Sequence, residues 1–231
     1  GVMEFKPFPK MARLSRAAIL TEKLDGTNAS VFITPVDAAA PEDVVGGVEG
    51  CVDCWTDGGG LFAMFAGSRT RWITPFADNF GFAAWVKANS VELRKLGVGH
   101  HFGEWWGSGI QRGYDFKNGE RFFSLFNTLR WHEKGSYPML VKEAVVDKRG
   151  VEISPEKWTT EAPACCRVVP VLYRGIFCTE AVENALETLR MCGSAAAPHF
   201  FHPEGVVVYH EAAGVGFKKT IENDESPKSL A

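Results

Sequence analysis

Apolar and polar residues alternate over Thr27–Thr34, a period of two that predicts a half-buried strand. Cys51–Thr56 and Leu61–Phe65 flank Asp57-Gly58-Gly59-Gly60, the pattern of a hairpin. Asn79–Leu96 changes period. Phe82, Trp85, Val86, Leu93 and Leu96 fall on one helical face, with a break near Asn89-Ser90. His100–Trp106 and Arg121–Trp131 read as strands around a glycine-rich polar loop, Gly107–Gly119. Arg167–Tyr173 reads as a strand, and Pro170 assigns it to a sheet edge. Thr179–Met191 is an amphipathic helix, with Ala181, Ala185, Leu186 and Leu189 facing the core, Thr179 as its cap and Gly193 as its stop. Gly205–His210 and Val215–Ile221 form a second hairpin across residues 211–214. Pro35–Gly50 reads as a surface insertion and Glu222–Ala231 as a polar tail. The expectation is α+β: a single domain over residues 1–231, built of antiparallel sheets with helices packed outside.

Composition narrows the classes. The chain has 231 residues, 45% apolar and 23% charged, which excludes a disordered or fibrous chain. No apolar run approaches the ~18 residues of a spanning helix, so no membrane partner is expected. The net charge of −3 disfavours non-specific binding to a polyanion. Any nucleic-acid contact must come from basic residues gathered locally. The opening residues lack a secretory pattern, so the six cysteines read as reduced thiols of a cytoplasmic protein. Cys51 and Cys54 make a CxxC pair, Cys165 and Cys166 are adjacent, and His199 and His202 make an HxxH. The two cysteine pairs lie too far apart for compact zinc-ligand spacing, so core or surface roles are favoured.

The chemistry begins at Glu22-Lys23-Leu24-Asp25-Gly26-Thr27-Asn28. A lysine that attacks phosphorus must lose its proton, and its solution pKa of ~10.4 opposes that at neutral pH. Neighbouring cations lower it. Gly26 would let the backbone turn tightly beside a bound nucleotide. Four further elements follow: Phe102-Gly103-Glu104-Trp105, Phe123-Ser124-Leu125-Phe126-Asn127, Glu204-Gly205-Val206, and Gly216-Phe217-Lys218-Lys219-Thr220. Glu104 suits ribose hydroxyls, Phe126 a stacked base, Glu204 a metal or its waters, and Lys218 and Lys219 a phosphate. Singly, each fits an ordinary edge, core or solvated position. Five in this order favour one shared site.

The series resembles the covalent nucleotidyltransferase superfamily: ATP-dependent DNA and RNA ligases and mRNA capping enzymes. The Glu-Lys-x-Asp-Gly-Thr-Asn form is most similar to the nick-sealing phage RNA ligases and the trypanosome editing ligases. The likeness spans Glu22 to Lys219 and implies an ATP-grasp-like ligase adenylation domain. It implies that Lys23 becomes covalently adenylylated with ATP and Mg²⁺. Glu22 would contact the adenine edge, and Asn28 would act near the phosphate end. Arg69, in Ser68-Arg69-Thr70, would contact ribose and order a 5′-phosphate. Glu104 would bind ribose, and Phe126 would stack on adenine, with Phe123 as the alternative register. Glu204 would serve the metal, and Lys218 would meet the α-phosphate.

Two departures stand out. The family's last motif reads Lys-x-Lys, whereas here it is Lys218-Lys219-Thr220. Either Lys219 replaces the second lysine or Thr220 takes its place. The aromatic-Asp pair of the middle motif is Phe126-Asn127.

The resemblance implies a ligase joining 3′-hydroxyl and 5′-phosphate ends of nicked or broken RNA, or RNA/DNA hybrids. The alternatives are a DNA ligase, a GTP-using capping enzyme and an inactive end-binding protein. Only 22 residues precede Lys23, which favours ATP over NAD, and eleven follow Thr220. A C-terminal OB or helical domain is therefore not expected within the chain: the expectation is either a single-domain ligase or one that depends on a protein partner to supply the second domain. Arg69, Arg71, Arg112 and Lys117 are groove candidates, with Trp105, Trp106 and Tyr114 available for stacking.

Overall fold

The computed structural model describes residues 17–37, 50–142, 145–153, 156–211 and 215–221. Most of the expected Pro35–Gly50 insertion, the 212–214 turn and the tail after residue 221 lie outside them. The described residues open with strands β1 (Ala17–Lys23), β2 (Thr27–Pro35), β3 (Cys51–Asp57), β4 (Gly60–Ser68) and β5 (Trp72–Ile73). Helices α1 (Phe82–Ala88) and α2 (Ser90–Leu93) follow, then β6 (Gly99–Gly107), β7 (Arg121–Leu125) and β8 (Trp131–His132). Short strands come next: β9 (Leu140–Lys142), β10 (Val145–Val146), β11 (Glu152–Ile153), β12 (Glu156–Trp158), β13 (Thr160–Glu161) and β14 (Arg167–Val168). The described residues close with β15 (Val171–Ile176), α3 (Thr179–Cys192), β16 (Gly205–His210) and β17 (Val215–Thr220).

Two principal sheets carry the fold. The larger has the order β14-β7-β6-β2-β4-β3, with β5 added to β4; the smaller is β15-β1-β16-β17. The expectation of purely antiparallel sheets is corrected, because β14 pairs β7 in parallel and β13 pairs β8 in parallel. The excursion between β7 and β14 is long enough for the crossover that a parallel pair needs.

One face of the larger sheet is apolar because its strands alternate. Val31, Ile33, Met64, Ala66, Trp105, Phe123 and Leu125 pack under Phe82, Val86, Leu93 and Leu96. The expected helical break falls at Asn89, and Arg94–Leu96 tightens into a 3-10 turn. Asp78 starts α1: its carboxylate accepts the Ala83 and Ala84 N–H groups at 2.8 and 3.0 Å. The β3–β4 hairpin turns through Gly58 and Gly59, both at positive φ (56° and 83°), as a two-residue turn of this hand requires.

In the smaller sheet, Ala18, Leu20, Val206 and Val208 pack on Val182, Ala185, Leu186 and Leu189 of α3. The apolar face is as expected, but the cap is not. Thr179 is the first helical residue, Cys178 holds the cap position, and no side chain bonds there. Gly193, at φ 80°, ends the helix.

Two expected strands divide. Arg121–Trp131 ends at Leu125, because Phe126–Arg130 turns and Trp131 donates to the Asn127 carbonyl at 3.0 Å. Arg167–Tyr173 splits at Pro170 into β14 and β15, edges of different sheets. Proline has no N–H for either ladder, but its carbonyl accepts the Glu22 N–H at 3.0 Å. The chain also passes between sheets at Leu24-Asp25-Gly26, from β1 to β2. A third apolar cluster, Leu24, Trp106, Tyr114, Val169, Ala197 and Phe200, fills the floor between the sheets.

Gly26 is required by close approach. A Cβ there would lie 2.3 Å from the Trp105 carbonyl oxygen and 2.7 Å from the Trp106 Cβ. The close approach to β6 is by itself sufficient reason for a glycine at this position. Gly26→Ala is expected to lower stability by about 1–3 kcal/mol or more, read by urea unfolding. An unchanged midpoint would show that β2 can shift from β6 without cost.

Candidate active site

Lys23 is the last residue of β1, where the backbone leaves one sheet for the other. It is register partner to Gly205, which in turn pairs with Thr220. Alternation places Lys23, Lys218 and Thr220 on one face of the smaller sheet. Lys219, opposite Val206, stands on the other face, which carries α3. The spacing of the last motif therefore puts Thr220, two residues after Lys218, where a second lysine of a Lys-x-Lys pair would stand.

The Lys23 ammonium contacts the Glu204 carboxylate, and both side chains are about 15% exposed. Glu204 is held by its own backbone, whose carbonyl accepts the Ile221 N–H at 2.9 Å. Burial, then the Lys218 cation, push the Lys23 pKa down, with a smaller push from Arg112. Asp25 and Glu104 push it back up. The lysine turn is pinned from outside. The Asp25 N–H donates to the Tyr114 hydroxyl at 2.8 Å, and its carboxylate accepts Arg112 Nε at 2.9 Å. Arg112 also donates to the His202 carbonyl, and His199 bonds the Tyr114 carbonyl at 2.7 Å.

Glu104 lies on the facing sheet. Its Oε1 accepts the Gly26 N–H at 3.1 Å, so one hydrogen bond ties it to the lysine turn. Burial raises its pKa to about 7, opposed by that bond and by Lys218 and Lys23. Asn28 is the register partner of Glu104, so the two share a face, and Asn28 is exposed. Phe126 follows β7 on the same face and is 43% exposed, its N–H bonded to the Phe102 carbonyl. Phe123, the alternative, is wholly buried against Phe82 and Trp85 and is unavailable.

Glu22 points to the α3 face. Its Oε2 accepts the Ala195 and Ala196 N–H groups at 2.9 and 3.0 Å. Its Oε1 is buried and has no hydrogen-bond partner among the described residues. Burial raises its pKa, with Ser194 and the two amides opposing. An orphaned, buried carboxylate oxygen is costly unless a ligand donor reaches it. The Ser194-Ala195-Ala196 cradle was not singled out in the sequence; its only signal is a run of small residues behind the helix stop.

Other candidates part from this cluster. Arg69 is exposed one residue beyond Ser68, the partner of Ala29, at the Asn28 end of the sheet. Arg71 is exposed and donates to the Ala77 and Asp78 carbonyls, and Lys117 is exposed on its loop. Arg112 serves as a brace for Asp25. The expected stacking rings Trp105, Trp106 and Tyr114 are all buried, because the inter-sheet floor and the helix-covered core claim them. Their polar atoms are used internally: Trp105 donates to the Phe80 carbonyl and Trp106 to Ser124 Oγ. No cluster of three or more metal-ligating side chains occurs among the described residues. No described helix is long and apolar enough to cross a membrane.

Glu104 makes stability pH-dependent. Its native pKa, raised to about 7, exceeds the unfolded value, so its contribution is fully present below the unfolded pKa and lost as pH rises through about 7. Glu104→Gln should flatten that part of the profile, worth up to about 3 kcal/mol, in denaturant titrations across this window. An identical profile in the variant would contradict the assignment.

A model of the RNA ligase family matches residues 16–221, nearly the whole described chain. No curated protein matches with significance.

Proposed function

The chain belongs to the RNA ligase family, and from that premise we propose that it is an ATP-dependent RNA ligase of the nick-sealing and editing-ligase type. It joins a 3′-hydroxyl to a 5′-phosphate in nicked or broken RNA or RNA/DNA hybrids. The observation that carries this reading is the clustering of Lys23, Glu204, Lys218 and Glu104, partly buried, where the two sheets join. A surface lysine would be a poor nucleophile; burial and a neighbouring cation make this one easier to deprotonate.

The residues fit the co-substrate. The orphaned Glu22 Oε1 accepts a hydrogen from the exocyclic amine of adenine. Guanine offers a carbonyl oxygen at the corresponding position, so acceptor would face acceptor, and ATP is preferred over GTP. Phe126 supplies an exposed ring for the base, worth about 1–3 kcal/mol. Glu104 accepts ribose hydroxyls. Glu204 is a hard oxygen donor fit to hold Mg²⁺ or its waters, which would neutralise charge on the phosphates.

Lys23 Nζ attacks the α-phosphorus of ATP in line. Nζ first gives up one proton to solvent and so gains its lone pair; the N–P bond then forms as the bond to pyrophosphate breaks, and a second Nζ proton passes to solvent. Lys218, on the same face as Lys23, stabilises charge on the α-phosphate oxygens. AMP then passes to the RNA 5′-phosphate, and the 3′-hydroxyl displaces it to close the strand. Asn28 and Arg69, at one end of the larger sheet, would meet that end.

Two outcomes are expected. Incubation with ATP and Mg²⁺ should add one AMP to the intact mass, GTP should add far less, and Lys23→Ala should add none. Equal labelling by GTP would contradict the role of Glu22. In Lys218→Ala, adduct formation should slow by about 10²–10³-fold. Its pH–rate inflection should also move to higher pH, since one of the groups lowering the Lys23 pKa is gone. An unmoved inflection would remove Lys218 from the vicinity of the nucleophile.

A further inference from the structure

The face of the larger sheet that carries Glu104 also carries a row of aromatic rings that the adenylylation chemistry does not use. Phe102 precedes Glu104 by two residues, about 7 Å along β6, and is 55% exposed. Its ring lies 4.0 Å from that of His100. His100 stacks on Trp72 at 5.7 Å with planes 28° apart, and Trp72 stacks on Phe32 at 5.6 Å and 29°. Phe65 closes the row, 5.7 Å from Trp72. Trp72 is 50% exposed and lies over Gly67, which leaves room for its indole. At the other end of the row stands Phe126, whose N–H bonds Phe102.

We propose that this row, Phe102–His100–Trp72–Phe32–Phe65, is a stacking platform for unpaired RNA bases leading away from the nucleotide site. The proposal deepens the ligase reading, since the RNA enters as its substrate. Three observations select RNA over a polypeptide. Every side chain in the row is a flat ring, and each ring offers a face on which any base can stack. The exposed Arg69 and Arg71 stand beside Trp72 in the chain and match phosphates in charge, although the protein is acidic overall. The row is continuous with Phe126, the ring available to adenine. Bases of any sequence stack on such a surface, so the platform favours ends that carry single-stranded nucleotides.

The test uses a short oligoadenylate with a 5′-hydroxyl, which cannot accept AMP on its end, and the same sequence fully paired. Binding is read by fluorescence anisotropy. Trp72→Ala should weaken single-strand binding about five- to hundredfold, the loss expected for one stacked base. Phe102→Leu, which keeps apolar bulk but removes the ring, should also weaken it, while Trp72→Phe should retain it. Paired RNA should be bound equally by all. Formation of the AMP adduct by Trp72→Ala should match the unaltered protein, which separates the platform from the chemistry. Single-strand affinity that survives both ring losses, or no single-strand binding by the unaltered protein, would overturn the proposal. So would full binding by Phe102→Leu, which would show that the rings of the row do not stack the bases. Absence of an AMP adduct in the unaltered protein would overturn the ligase reading, and the anisotropy measurements would still decide the platform.

Discussion

The site depends on one backbone contact: Gly26 pressed against β6. At that point the chain leaves the smaller sheet and enters the larger, and the two backbones come closer than any Cβ permits. Lys23 ends one strand and Thr27 starts the next, so this lysine is fixed to both sheets by three intervening residues. The same turn gives its Gly26 N–H to Glu104 and its Asp25 N–H to Tyr114. Its other brace, Arg112, reaches both Asp25 and the segment before β16. A lysine held this way has little freedom to swing into water, where its amine would stay protonated.

The electrostatics follow from that placement. Two carboxylates and two lysines lie together, partly buried, where the two sheets join. Burial favours neutral forms, so Lys23 moves down and Glu104 up, and each partly restrains the other. Glu22 adds a buried carboxylate behind the strand with one oxygen satisfied and one not. Such buried charges are costly to a fold, and under the proposed function they are what a nucleotide's base, sugar and phosphate would complement.

Much of this was legible in the sequence because it rests on local pattern. The hairpin at Gly58-Gly59, the helical break at Asn89 and the buried face of α3 follow from periodicity and turn chemistry. The motif order brought Lys23, Glu104, Glu204 and Lys218 forward, and all four meet. What stayed hidden is tertiary. Pro170 signalled an edge, but not that it divides two strands of different sheets. Trp105, Trp106 and Tyr114 read as stacking rings because nothing in the sequence tells an aromatic on the floor of a cleft from one at its mouth. The choice between Lys219 and Thr220 needed strand register, since a single step reverses the face.

The central claim is that the amine at the sheet junction is the one that bonds to phosphorus. Peptide mapping by tandem mass spectrometry, after incubation with ATP and Mg²⁺ and digestion under alkaline conditions that preserve phosphoramidates, tests it most directly. The account predicts AMP on the peptide containing Lys23, attached through nitrogen and released by mild acid. AMP on Lys218, Lys219 or any other side chain, with Lys23 unmodified, would contradict it.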